Sequence, residues 1–246
     1  MFQKFRYAFA RFMQGRHGYD QLSRFMLWVA LAFYALGMFR PIWFMGYVGL
    51  AIFPMLCLLE PDFVAELHEI ATEHTLHNLG ALLPEIRDTV DILMLSADDW
   101  GTQNNLIASP KVYRDLFQPY HRRINDTVKA LAPHTKRFLH SCGAIYDLID
   151  LIVESGFDIL NPVQWSAGKA TYREWKDKAR GRIALWGGGV NAQVTLPLGS
   201  VDDVVREVQE VVPVMKQDSG YIFCNIHNIL AEVEPEKVIA IYRAAV

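Results

Sequence analysis

His140-x-Cys142 is the pair whose residue types and spacing best suit chemistry. Residues i and i+2 of a strand project to one face, so an imidazole and a thiolate there could hold one ion between them. Gly143 follows and lets the chain turn away sharply. A third soft ligand, Cys224, ends a later apolar run and could converge on the same region. One histidine and two cysteines leave a fourth position of a tetrahedral zinc ion open, the arrangement of a catalytic site. That position could take a substrate thiol and hold it as a thiolate at neutral pH. The competing reading is packing, because free cysteine is common in cores and His-x-Cys is a short pattern. Cys57, inside an apolar helical run, reads as core.

Four further polar clusters follow apolar runs: Asp98-Asp99-Trp100-Gly101-Thr102-Gln103, Asn161-Pro162-Val163-Gln164, Gly187-Gly188-Gly189 and Cys224-Asn225-Ile226-His227-Asn228. Asp98 and Asp99 could act as acid, base or polar anchor, against the alternative of a solvated loop pair. His227 is the third candidate catalytic group, and Asn228 beside it could bind a substrate carboxylate or amide; both could equally cap their loop. Trp100, Gln103, Asn161 and Gln164 are candidate substrate contacts or pocket wall. The triple glycine fits neither a Walker nor a dinucleotide fingerprint.

The elements that would position these residues alternate between short apolar runs and amphipathic helical patterns from Glu60 onward, which implies parallel β/α units. Strands are expected at 90–95, 137–141, 158–161, 182–186 and 221–225. Helix starts are signalled by Pro61, Ser109-Pro110, Ser200-x-x-Asp203 and Pro235, and a kink is expected at Pro119. In a β/α barrel the site lies where strands end and the following loops begin, which is where every cluster above falls. A full barrel takes about 250 residues. Five units after residue 90 therefore imply an α/β fold that is the C-terminal part of a TIM-type (β/α)8 barrel. Unclosed parallel strands leave edges and apolar surface, so self-association is expected.

The net charge of −3 and pI near 6.2 argue against a nucleic-acid partner. The 3 cysteines are too few for a disulfide framework and suit a reducing, cytoplasmic setting. Residues 1–39 stand apart as a basic and hydrophobic segment, with Lys4, Arg6, Arg11, Arg16 and Arg24 ahead of an apolar run at 26–39. A second apolar run covers 42–59. Spanning a bilayer takes roughly 17–25 residues, so these runs read either as buried core helices or as a membrane contact through residues 1–59.

Residues 40–246 resemble the uroporphyrinogen decarboxylase superfamily. The resemblance rests on Pro41-Ile42-Trp43 through Leu58-Leu59-Glu60-Pro61-Asp62, on Asp98-Asp99-Trp100-Gly101 followed by Ser109-Pro110 and Pro119-Tyr120, and on His227 and Pro235-Glu236. The order of these motifs is more specific than any one of them. Within the superfamily, His140-x-Cys142-Gly143 with Cys224 is similar to the zinc site of methyltransferases that move a methyl group between a corrinoid protein and a thiol such as coenzyme M. The resemblance therefore implies zinc, a corrinoid carried by a partner protein, and a small-molecule thiol. Its alternatives are metal-free decarboxylation of a tetrapyrrole substrate, or a partial barrel without activity. The decarboxylases' N-terminal arginine-rich motif and aspartate have no counterpart in residues 1–39, so decarboxylation is not expected.

Overall fold

The computed structural model describes residues 28–29 and 52–246. The apolar run at 26–39 and the start of the run at 42–59 lie outside the described residues, apart from Trp28 and Val29. Among the described residues no helix is long and apolar enough to cross a membrane. The chain divides at residue 70 into two units. In the first, residues 52–59 are helical, and Phe63 and Val64 are buried at the start of α1 (Pro61–Ile86).

The second unit is built from β1 (Ile92–Ala97), α2 (Pro110–Leu116), α3 (Gln118–Leu131), β2 (Lys136–His140), α4 (Ile149–Glu154), β3 (Ile159–Asn161), α5 (Tyr172–Ala179), β4 (Ala184–Trp186), α6 (Thr195–Leu198), α7 (Val201–Met215), β5 (Tyr221–Ile222) and α8 (Pro235–Ala244). Among the described residues the five strands are parallel and pair in the order of the sequence, β1-β2-β3-β4-β5. Sequential order without a reversal is the barrel pattern; a doubly wound sheet would switch direction. Among the described residues the sheet is open, with β1 and β5 at its edges, so the architecture is part of a TIM-type barrel.

Alternation sets the two faces of each strand. Leu139, Leu160 and Leu185 point into the helix-covered core with Tyr113, Ile149, Ile152 and Trp175. The opposite face carries Met94, Phe138, Ile159 and Trp186, and Met94 on the edge strand is 61% exposed. Arg137 ties β2 to β3 by donating from Nε and a terminal nitrogen to the Asp158 carboxylate at 2.7 and 2.8 Å. Burial alone would raise the pKa of Asp158, but the Arg137 hydrogen bonds and charge outweigh it and hold the carboxyl below its usual range.

Local signals account for the helix starts. Ser109 accepts from Val112 N with Pro110 in the first turn, and Ser200 and Asp203 form a reciprocal capping box. A second capping box, Thr171 with Glu174, opens α5. The chain breaks between α2 and α3 at Phe117, two residues before Pro119, because proline in the first turn of a new helix costs no hydrogen bond. The expected strands are displaced or shortened by up to three residues, since β4 starts late and β5 gives way early to a loop.

Two loops meet with no room for side chains. A Cβ on Gly143, where φ is +87°, would lie 2.3 Å from the carbonyl carbon of Gly101. Gly181, at φ +69°, has nothing within 4 Å. Gly143→Ala is expected to cost roughly 2–4 kcal/mol in urea unfolding and Gly181→Ala only about 1–2, since only the former adds a clash to the left-handed strain. Equal losses for the two variants would show that the close approach carries no weight.

Candidate metal centre

His140 ends β2 and lies in register with Asn161 on β3 and Ala97 on β1. Three residues of turn then carry Cys142 and Gly143 against the loop that follows β1. Backbone contacts fix that docking: Gly101 N donates to Cys142 O at 3.1 Å, and Ala144 N to Thr102 O at 2.9 Å. Side chains add to it. Trp100 N donates to Ser141 Oγ at 3.2 Å, and Cys142 N donates to Asp99 Oδ1 at 2.8 Å.

The result is a cluster in which ligand atoms of Asp99, His140 and Cys142 all lie within 4.8 Å of one another. His140 Nε2 is 3.2 Å from Cys142 Sγ. On its other side His140 Nδ1 lies 2.6 Å from Asn161 Oδ1, and Asn161 Nδ2 donates to the Trp186 carbonyl at 3.0 Å. Burial, reinforced by the Asp99 charge and its hydrogen bond, pushes the Cys142 thiol up to about 12. Thiol, imidazole and carboxylate together form a donor set that suits tetrahedral zinc.

The structure brings Asp99, rather than Cys224, to the His140 and Cys142 pair. Cys224 follows β5, at the far edge of an open sheet, with β3 and β4 between it and β2. Its thiol faces Asn225 Oδ1 at 3.5 Å, and its carbonyl accepts from Gly189 N. Several expected substrate contacts are engaged with the protein instead. Asn161 spends both ends of its amide as described. Gln164 is buried, and its Oε1 accepts from Gly143 N at 2.8 Å. Trp100 is buried edge-to-face against Tyr113 and Phe117, with ring centroids 4.9 and 4.4 Å away. Gln103 ties loops together through Ser166 O and Gln193. His227 and Asn228 are exposed on the loop after β5, and His227 O accepts from Asn225 Nδ2.

Asp98 belongs to a different network. Its carboxylate accepts from Ser96 Oγ and faces His121 Nε2 at 3.3 Å. His121 Nδ1 is 3.0 Å from the Tyr113 hydroxyl, which also contacts Ser155 Oγ at 3.1 Å. Burial raises the Tyr113 phenol above its ordinary range. Tyr113 and His121 did not stand out in the sequence as site residues. The spacing 113, 117, 121 on a helical pattern was the available sign that Tyr113, Phe117 and His121 share one face. An open cleft of about 610 Å³ is lined by Asn105, Ser109, Tyr146, Asp147, Lys169 and others, but not by Asp99, His140 or Cys142.

Fold and site together define a β/α-barrel protein whose strand ends assemble a metal-type donor cluster. Residues 45–246 match uroporphyrinogen decarboxylase (URO-D), and the chain belongs to that family. It is 27% identical over 143 residues to the uroporphyrinogen decarboxylase of Syntrophotalea carbinolica, covering 56% of this chain and 36% of that protein. It is 27% identical over 157 residues to the uroporphyrinogen decarboxylase of Legionella pneumophila, covering 64% and 41%. The chain thus spans less than half the length of these relatives. Among solved structures it is similar to a methyltransferase from Methanosarcina mazei, with TM-score 0.58 and 19% identity over 78% of this chain and 51% of that one, a likeness of fold.

The Asp99 charge beside Cys142 has a measurable effect. Removing it lowers the thiol from its raised value toward the ordinary one, so more thiolate exists at any given pH. Asp99→Asn, which keeps an acceptor for Cys142 N, is expected to speed iodoacetamide labelling of Cys142 in metal-free protein at pH 8 by roughly 3–10-fold. Peptide mapping of the label checks it, and an unchanged rate would remove Asp99 as a cause.

Proposed function

We propose that this chain serves zinc-assisted methyl transfer to a small-molecule thiol, the methyl group coming from a corrinoid on a partner protein. The observation that carries the reading is the convergence of Asp99, His140 and Cys142 on one point at the strand ends. The fold likeness to the methyltransferase from Methanosarcina mazei supports it.

A cysteine–histidine–asparagine row also suggests a nucleophilic thiol, and the electrostatics favour the metal reading over it. A nucleophile must be a thiolate, whereas burial and Asp99 hold Cys142 protonated up to about 12. A dication reverses that logic, because it gives thiolate and carboxylate a shared partner. In this reading His140, Cys142 and Asp99 hold the ion and leave a fourth position for substrate. Bound zinc would lower the pKa of a substrate thiol so that it is a thiolate at neutral pH. The thiol sulfur supplies the electron pair of the new carbon–sulfur bond. The corrinoid keeps the pair of the broken cobalt–carbon bond, and the thiol proton leaves to solvent. Gln164 holds the Gly143 turn in place, while the exposed His227 and Asn228 are free to orient the rest of the substrate.

Metal-free decarboxylation of a tetrapyrrole is the second reading, favoured by the names of the two curated relatives. Elemental analysis after zinc loading and desalting separates the two. About one zinc per chain is expected for wild type and Cys224→Ala, and a negligible amount for His140→Ala and Cys142→Ala. A wild-type protein without zinc that forms coproporphyrinogen would overturn the methyl-transfer reading, and loss of zinc in Cys224→Ala would return the third ligand position to Cys224.

A further inference from the structure

We infer that Asn161 is a positioning residue that fixes His140 as the tautomer protonated at Nδ1, so that the lone pair of Nε2 faces the Cys142 and Asp99 side. The two ends of an asparagine amide have to be assigned from their partners. Here one partner is a backbone carbonyl: Trp186 O, 3.0 Å from Nδ2, can only accept. The amide nitrogen must therefore face β4, which turns Oδ1 toward His140 Nδ1 at 2.6 Å. Oδ1 has no hydrogen to give, so Nδ1 must carry the proton. In the neutral ring Nε2 then carries the lone pair, and it faces Cys142 Sγ 3.2 Å away.

The two bonds of this row donate in one direction, from His140 to Asn161 and from Asn161 to the β4 backbone. Such a row is self-reinforcing. It is also rigidly held, since His140 and Asn161 are register partners on adjacent strands and β4 pairs with β3. The tautomer follows from these hydrogen bonds alone. Its consequence, that Nε2 is ready to accept a metal ion without first losing a proton, rests on the zinc reading above.

The test has two readouts on the full chain. Nitrogen-15 NMR of metal-free protein, with the resonances assigned by comparison with His140→Gln, reports which ring nitrogen is protonated. Competition with a chromophoric chelator reports zinc affinity. Wild type is expected to show a protonated Nδ1. Asn161→Asp, which keeps an acceptor oxygen, is expected to retain that tautomer and bind zinc within several-fold of wild type. Asn161→Leu is expected to give a tautomer mixture and a loss in affinity of roughly 10–100-fold. A wild-type ring protonated at Nε2, or an unchanged tautomer in Asn161→Leu, would overturn the inference. If Asn161→Leu fails to fold, wild type and Asn161→Asp still decide it. Wild-type protein with the expected tautomer but no zinc affinity upholds the tautomer and removes only the zinc reading.

Discussion

The contact between the backbones of Gly101 and Gly143 is the constraint on which the site depends. A Cβ on either would lie within 2.6 Å of the other loop's backbone, so neither loop could approach its partner with a side chain in place. That approach lets Gly101 N reach Cys142 O and Asp99 Oδ1 reach Cys142 N. A carboxylate from one strand end and a thiol from the next are thereby held side by side, which neither strand achieves alone. Trp100 completes the arrangement from below, buried against Tyr113 and Phe117, so that the loop carrying Asp99 is anchored in the core.

Such an arrangement disfavours a thiolate in the absence of a cation. Burial and a neighbouring carboxylate both oppose ionisation of Cys142, and the hydrogen bonds around it supply no positive charge. Asp98, the neighbour of Asp99, is treated differently, because it faces an imidazole and a serine hydroxyl. Two adjacent aspartates thus sit in different electrostatic surroundings. One completes a cluster of thiol, imidazole and carboxylate that could hold a metal ion, and the other joins β1 to the α2–α3 helix pair through His121 and Tyr113.

Much of the frame was legible in the sequence because it rests on local rules. Short apolar runs between helical patterns marked the five strands, and Ser109-Pro110 and Ser200-x-x-Asp203 marked helix starts whose caps form as the pattern requires. His140 and Cys142 were legible as a pair because their spacing alone places them together. The third partner was not, since it depends on which strands are neighbours. Asp99 follows β1, which adjoins β2, whereas Cys224 follows β5 at the other edge. For the same reason Asn161 and Gln164 read as substrate contacts in the sequence: each has an amide at a strand end, and only the fold reveals that another strand or turn already occupies it.

The row through His140 ends on a main-chain group, the carbonyl of Trp186, and the side chain of that residue is occupied elsewhere, edge-to-face with Phe138 at 5.4 Å. The determinant at the end of the row is therefore not encoded by the amino acid at position 186. Mutational drift can change the indole without touching the acceptor, and only a shift of β4 relative to β3 would move it. The state of the histidine is inherited through strand order, which makes it more robust to point substitution than a row ending on a side chain would be.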